Sequence, residues 1–156
     1  MRRRQAEKRQ LTPDVKYNSE LVARLINIVL KKGKKSKAQE IVYGAMEAIG
    51  KKQDGRDPLE IFMQALDNVK PLLILKSRRV GGANYQIPIE VDQTQQIGIA
   101  LRWIVTFSRG RKGKSMKDSL SAELLDAFNN TGASVKKRDE THKMAQANRA
   151  FAHYRW

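Results

Sequence analysis

Two arginines, a glycine pair and a run of apolar alternation meet between Lys76 and Val91, KSRRVGGANYQIPIEV, and the chemistry such residues perform is phosphate recognition. Arginine's flat guanidinium fork matches phosphate oxygens, and glycine lets a backbone approach a partner closely. The segments around the Gly81-Gly82-Ala83-Asn84 turn read as a β-hairpin with Arg78, Arg79 and Tyr85 near its tip. Edge-strand charge also blocks aggregation, but lysine would serve that end equally well and would leave the glycines unexplained. A two-stranded ribbon is marginal alone in water, so this one is expected to be an arm on a larger body, kept to touch nucleic acid.

Two further clusters carry the same chemistry. KKGKKSK, residues 31–37, places five lysines in seven residues, more than a helix C-terminus needs to satisfy its dipole. RGRKGK, residues 109–114, repeats the pattern. Both read as phosphate-binding patches, with Lys32, Lys34, Lys35, Lys37, Arg109, Arg111, Lys112 and Lys114 as candidate contacts.

Catalytic chemistry finds no comparable constellation. Cysteine is absent, which excludes disulfides, thiolate nucleophiles and cysteine zinc sites. His142 and His153 have no carboxylate arranged beside them as a ligating or acid–base group would need. Gly81-Gly82 lacks the following Lys-Ser/Thr of a P-loop, and no serine sits in a nucleophile-elbow context. No catalytic residue, metal, cofactor or small-molecule substrate is assigned.

Composition points the same way. The chain has 156 residues, enough for one domain with a core, and 31 basic against 16 acidic residues, a formal charge of +15. Such self-repulsion calls for a polyanionic partner. The charge is uneven: residues 1–37 carry +9, 38–70 carry −2, 71–114 carry +6 and 115–156 carry +2. Two basic regions are thus read as facing the partner, and the region of the second and third helices as facing elsewhere. No apolar run approaches the roughly 20 residues of a spanning helix, so no membrane is expected, and the start, MRRRQAEKRQ, lacks the apolar stretch of a secretory signal.

The elements that must position these residues follow from periodicity and punctuation. Residues 1–17 read as a disordered basic arm, with Arg2, Arg3, Arg4, Lys8 and Arg9, and residues 18–156 as one helical domain. Asn18 or Ser19 caps a first helix with the stripe Leu21, Val22, Leu25, Ile26, Ile28 and Val29, stopped by Gly33. A Ser36-x-x-Gln39 capping box is expected to open the second, its end frayed between Gly50 and Gly55. Asp57-Pro58-Leu59-Glu60 combines three start signals for the third, and Pro71 ends it.

The ribbon, at about 72–91, comes next. Pro88 cannot donate to a ladder and so belongs on an edge. A fourth helix, capped by Asp92, runs to about Ser108 and is expected to be central. Trp103 on it reads as core, stacking on a base being the other use of such a ring. The Arg109–Lys114 stretch reads as a loop, Ser115 starts a fifth helix that closes at the Asn129–Gly132 stop, and a sixth, thin in apolar residues and expected to be the most peripheral, begins near Ser134. The fold class is mainly α: six helices with a two-stranded β-ribbon between the third and fourth.

These motifs resemble the bacterial-type small-subunit ribosomal protein seven family. The resemblance lies in RRVGGANYQIPIEV at 78–91, ALRW at 100–103 and KMAQANRAFAHYRW at 143–156, with support from DGRDPLEIFMQALDNVKP and GKKSKAQ, and it covers nearly the whole length. It implies a six-helix domain with a ribbon, and a primary rRNA-binding protein that starts assembly of the subunit head, the 3′ major domain, beside the exit-site tRNA and mRNA path. On the family's pattern, Arg2, Arg3, Arg4, Arg9 and Lys32 to Lys37 contact rRNA. The ribbon, with Arg78, Arg79, Gly81, Gly82, Asn84 and Tyr85, lies by the exit site, and His153, Tyr154, Arg155 and Trp156 approach that site and a neighbouring ribosomal protein. Gln93, Gln95 and Gln96 stand where many members carry basic residues, which implies weaker contacts there. Bacterial and plastid members share the motifs, so the implied compartment is bacterial cytoplasm or plastid stroma. The rival reading is a basic helical DNA-binding regulator, but no helix displays an exposed base-reading face and the fifth is too acidic for one.

Overall fold

A computed structural model describes residues 6, 10–53 and 55–154 of the chain. Its clearest boundary is also the one with the plainest local cause: the Asp57 carboxylate accepts from the Leu59 amide at 3.0 Å, Pro58 takes the first helical position, and α3 runs Pro58–Val69. The apolar side of α3 buries Ile61, Phe62, Ala65, Leu66 and Val69.

Before it, α1 (Glu20–Val29) buries Val22, Leu25, Ile26 and Val29. It ends sooner than Gly33. Lys32 and Gly33 instead share a left-handed turn, with φ of 52° and 75°, that reverses the chain into α2 (Lys35–Lys52). That turn overrides the expected Ser36 capping box. Lys34 holds the cap position, no side chain bonds there, and Ser36 falls inside the first turn. Gly50 also differs from expectation: it is helical, and a side chain in its place would meet the Pro58 ring at 2.8 Å. Its role is to let α3 start close against α2.

After α3, β1 (Leu73–Val80) and β2 (Ala83–Glu90) pair antiparallel from Leu73↔Glu90 to Val80↔Ala83. Only Gly81 and Gly82 form the turn, both at positive φ, 57° and 90°. This is the type I′ geometry whose twist matches paired strands, and Ala83 and Asn84 are already in the ladder. Then α4 (Gln93–Gly110) opens on Asp92, whose carboxylate accepts from the Thr94 amide at 3.2 Å. α4 extends through Arg109 and Gly110, so the basic loop is shorter than expected. α5 (Met116–Phe128) is capped by Ser115, and α6 (Gly132–Ala147) leads to a 3-10 segment, Arg149–Tyr154.

The core is one cluster drawn from all six α-helices. α5, rather than α4, makes the most extensive packing, against α2, α3 and α4. Trp103 is half-buried against this core. α6 buries little, only Ser134, Val135, Thr141 and Ala145, yet it touches α3, α4, α5, both strands and the 3-10 segment. It is less a peripheral helix than the seat of the ribbon. The ribbon's first amide is fixed there, Leu72 N–H donating to His142 Nε2 at 3.0 Å.

Candidate nucleic-acid interface

The α1–α2 turn holds Lys31, Lys32, Lys34, Lys35 and Lys37 in water: all five are exposed. Lys37 lies 3.5 Å from Glu40, but both side chains are 74% exposed, a pair worth close to nothing. The lysines therefore remain available for anions. Arg109, from the last turn of α4, reaches this cluster. Its Nη2 donates to the carbonyl oxygens of Val29 and Ile28 at 3.1 and 3.3 Å. A cation on the free carbonyls of α1 satisfies groups a helix C-terminus leaves unpaired. The bond also joins the two basic segments in space. Lys31, Lys34, Lys37 and Arg109 rim an open cleft of about 300 Å³ whose floor includes Ile41 and Met116.

Arg111, two residues on, is turned inward. It lies 2.5 Å from Glu123 and from Asp126, the first carboxylate 1% exposed and the guanidinium 30%. Burial works against the Arg111 charge, but its bonds to Asp126 and Glu123 outweigh that and hold its pKa above the ordinary arginine value. The other oxygen of Glu123 accepts from the Ser134 amide and hydroxyl at 3.0 and 2.6 Å, so one buried carboxylate ties the 111–115 loop to the start of α6. Lys112 and Lys114 are exposed.

The ribbon brings together residues far apart in the chain. Arg78 Nη1 donates to the Tyr154 carbonyl oxygen at 2.6 Å. The Tyr85 ring, opposite Arg78 in the ladder, lies 5.2 Å from that of Phe151 and 5.4 Å from that of Tyr154. His153 bonds the Ala150 carbonyl through Nδ1 at 2.8 Å. Arg79 and Asn84 face one another in the next pair of the ladder. Both are exposed and neither makes a side-chain hydrogen bond among the described residues. Arg2, Arg3, Arg4, Arg9, Arg155 and Trp156 lie outside the described residues. The ribbon joins the N-terminal end of α4 and Arg109 stands at its other end. Eighteen residues at about 1.5 Å each put these two regions roughly 27 Å apart along that helix.

Two anchors went unread in the sequence. Asp14 is buried, accepts from the amides of Lys16 and Tyr17 at 3.1 and 3.2 Å, and takes the Tyr43 hydroxyl at 2.7 Å, which seats residues 14–17 on α2. Nothing local flags it, because its partner lies 29 residues away. Glu123 could have been found: an acid flanked by Leu120, Leu124 and Ala127 on the apolar stripe must face inward and so needs a cation. Lys117 was also passed over. It crosses α2 at Gly44, where an added side chain would meet its Cε at 2.6 Å.

Comparison with known proteins adds two findings. A family model described as ribosomal protein S7p/S5e matches residues 1–149. The chain is similar to proteins named small ribosomal subunit protein uS7: 57% identical over 156 residues to that of Thermotoga petrophila, with both chains fully covered. It is 56% identical over 155 residues to that of Thermodesulfovibrio yellowstonii, and 55% over 155 to that of Paramagnetospirillum magneticum, with 99% of each chain covered.

Proposed function

Because the chain belongs to the ribosomal protein S7p/S5e family, it is a structural, non-enzymatic component of the small ribosomal subunit, with rRNA and ribosomal proteins as partners, and we propose how it engages them. The cleft-lining Lys31, Lys34, Lys37 and Arg109, with the exposed Lys32, Lys35, Lys112 and Lys114, form the main rRNA surface. Arg2, Arg3, Arg4 and Arg9 extend it. Phosphate contacts supply most of the affinity, and the rigid spacing of contact points reads the shape of a folded RNA junction rather than its sequence. On this reading the chain binds the 3′ major domain early and organises the head.

The ribbon does a second job. Arg79, Gly81, Gly82, Asn84 and the Arg78–Tyr85 pair, with the 3-10 segment docked on them, lie by the exit-site tRNA and mRNA, and the end of the chain meets a neighbouring ribosomal protein. The relatives named above are bacterial, which favours a cytoplasmic ribosome over a plastid one. The observation that carries the proposal is the meeting of Arg109, first residue of the second basic segment, with Lys31, Lys34 and Lys37 around one cleft. Two arginines of the second cluster, 109 and 111, hold the fold there while the lysines of the first stay exposed.

Cosedimentation with small subunits at high salt tests it: the chain should stay with the subunit. Its release with the wash, or equal competition of a labelled rRNA fragment by duplex DNA, would favour the DNA-binding regulator instead.

A further inference from the structure

We propose that the cleft between α1, α2 and the end of α4 takes one unpaired nucleobase of the bound RNA, stacked on the Arg109 guanidinium, while Lys31, Lys34 and Lys37 hold the phosphates on either side of it. The inference rests on the rRNA-binding reading and goes further, because a surface that bound phosphate alone would need neither a concavity nor an apolar floor.

The cleft has both. Its floor includes Ile41 and Met116, and its cationic residues stand at the rim. A phosphate pushed onto that floor would lose water without gaining a hydrogen bond, which is unfavourable. The flat face of a base is apolar and loses little there. A volume of about 300 Å³ lies at the lower limit of ligand pockets: room for one base, and none for a duplex.

Arg109 supplies the platform. Unpaired RNA bases stack on aromatic rings or on arginine planes, and among the residues lining this cleft no aromatic ring occurs. The Arg109 side chain is exposed, yet its Nη2 is tied to the Ile28 and Val29 carbonyl oxygens, which fixes the guanidinium before any ligand arrives. Preorganisation of this kind removes an ordering cost from binding. A lysine in its place would keep the charge and lose the plane.

The test uses the full chain with carbon-13 methyl-labelled methionine and two probes, a five-nucleotide single-stranded RNA and an abasic ribose-phosphate oligomer of equal length. The RNA should shift the Met116 methyl resonance and the abasic oligomer should bind without doing so. Arg109→Lys should weaken the RNA by about fivefold or more and leave the abasic oligomer unchanged. Should that variant fail to fold, the comparison of the two probes on the parent chain decides alone. Equal binding of both probes with Met116 unmoved would overturn the base pocket and leave the phosphate-binding surface standing. Failure of both probes to bind would remove the RNA-binding reading itself.

Discussion

The Arg78 guanidinium donates to the main-chain oxygen of Tyr154 across 76 residues of sequence, and with Tyr85 against Phe151 and Tyr154 it makes the ribbon and the C-terminal segment one unit. A two-stranded ribbon is marginal alone; this one is supported at its base by α6 and near its tip by the 3-10 segment.

Arg78 and Arg79 should therefore separate. Arg78→Ala is expected to speed amide exchange in residues 149–154 and at the ribbon tip, whereas Arg79→Ala should leave exchange unchanged. Replacing both should cost on the order of 1 kcal/mol or less in affinity for an isolated rRNA fragment, as exposed charges do. Unaltered exchange in the first variant would show that the contact constrains nothing. Loss of rRNA binding or of entry into subunits by the double variant would make the ribbon an assembly element.

Removing Arg111 should act on stability rather than on RNA. Arg111→Ala leaves the buried Glu123 carboxylate with only the Ser134 bonds, a loss of about 3 kcal/mol if the pair behaves like other buried ones. Denaturant unfolding measures it. A midpoint equal to the parent's would show that Glu123 does not need the cation.

The start of the chain should divide at Asp14. Deleting residues 1–10 is expected to leave the melting temperature nearly unchanged and weaken RNA binding by removing Arg2, Arg3, Arg4, Lys8 and Arg9. Asp14→Ala should instead destabilise by about 1 kcal/mol, because it removes the acceptor of the half-buried Tyr43 hydroxyl and of two amides. A deletion that unfolds the domain, or one that binds as the parent does, contradicts this division.

Lys16 and Glu47 provide a test by titration. The Lys16 hydrogen bond, and then its charge, hold the Glu47 carboxyl below the ordinary 4.5. The unfolded chain thus takes up this proton more readily, and the pair's contribution, small at an exposed site, is present above that value and lost as pH falls through the folded pKa. In Lys16→Ala the Glu47 midpoint, followed by carbon-13 resonance, should rise toward 4.5. An unmoved midpoint would mean the ion pair is not populated in solution.

What could be read in advance was what is local. Asp57-Pro58-Glu60 and Asp92 place the starts of α3 and α4 because a cap bonds an amide two residues on, and the glycine pair makes the hairpin turn for a reason contained in two residues. Ser36 misled because the left-handed Lys32–Gly33 turn leaves Lys34 at the cap position, two residues ahead of it. The basic clusters were visible as composition. That Arg109 caps α1 and that Arg78 holds Tyr154 are long-range contacts with no periodic trace in the sequence; the place of Glu123 on the apolar stripe of α5 shows that it needs a cation, but not that Arg111 is the one.

The lysine turn, exposed at all five lysines, is the rRNA surface most open to direct measurement. Filter binding of a 3′ major-domain rRNA fragment between 50 and 200 mM salt should show affinity of the parent chain falling roughly 10³–10⁵-fold, if it neutralises about 6–10 phosphates as on duplex DNA. With Lys32, Lys34, Lys35 and Lys37 replaced by alanine, binding should be weaker by several-fold more than with the ribbon arginines replaced, and the slope shallower by about 3. A flat dependence for the parent, or an identical slope for the two chains, would contradict the claim that this turn is the rRNA surface.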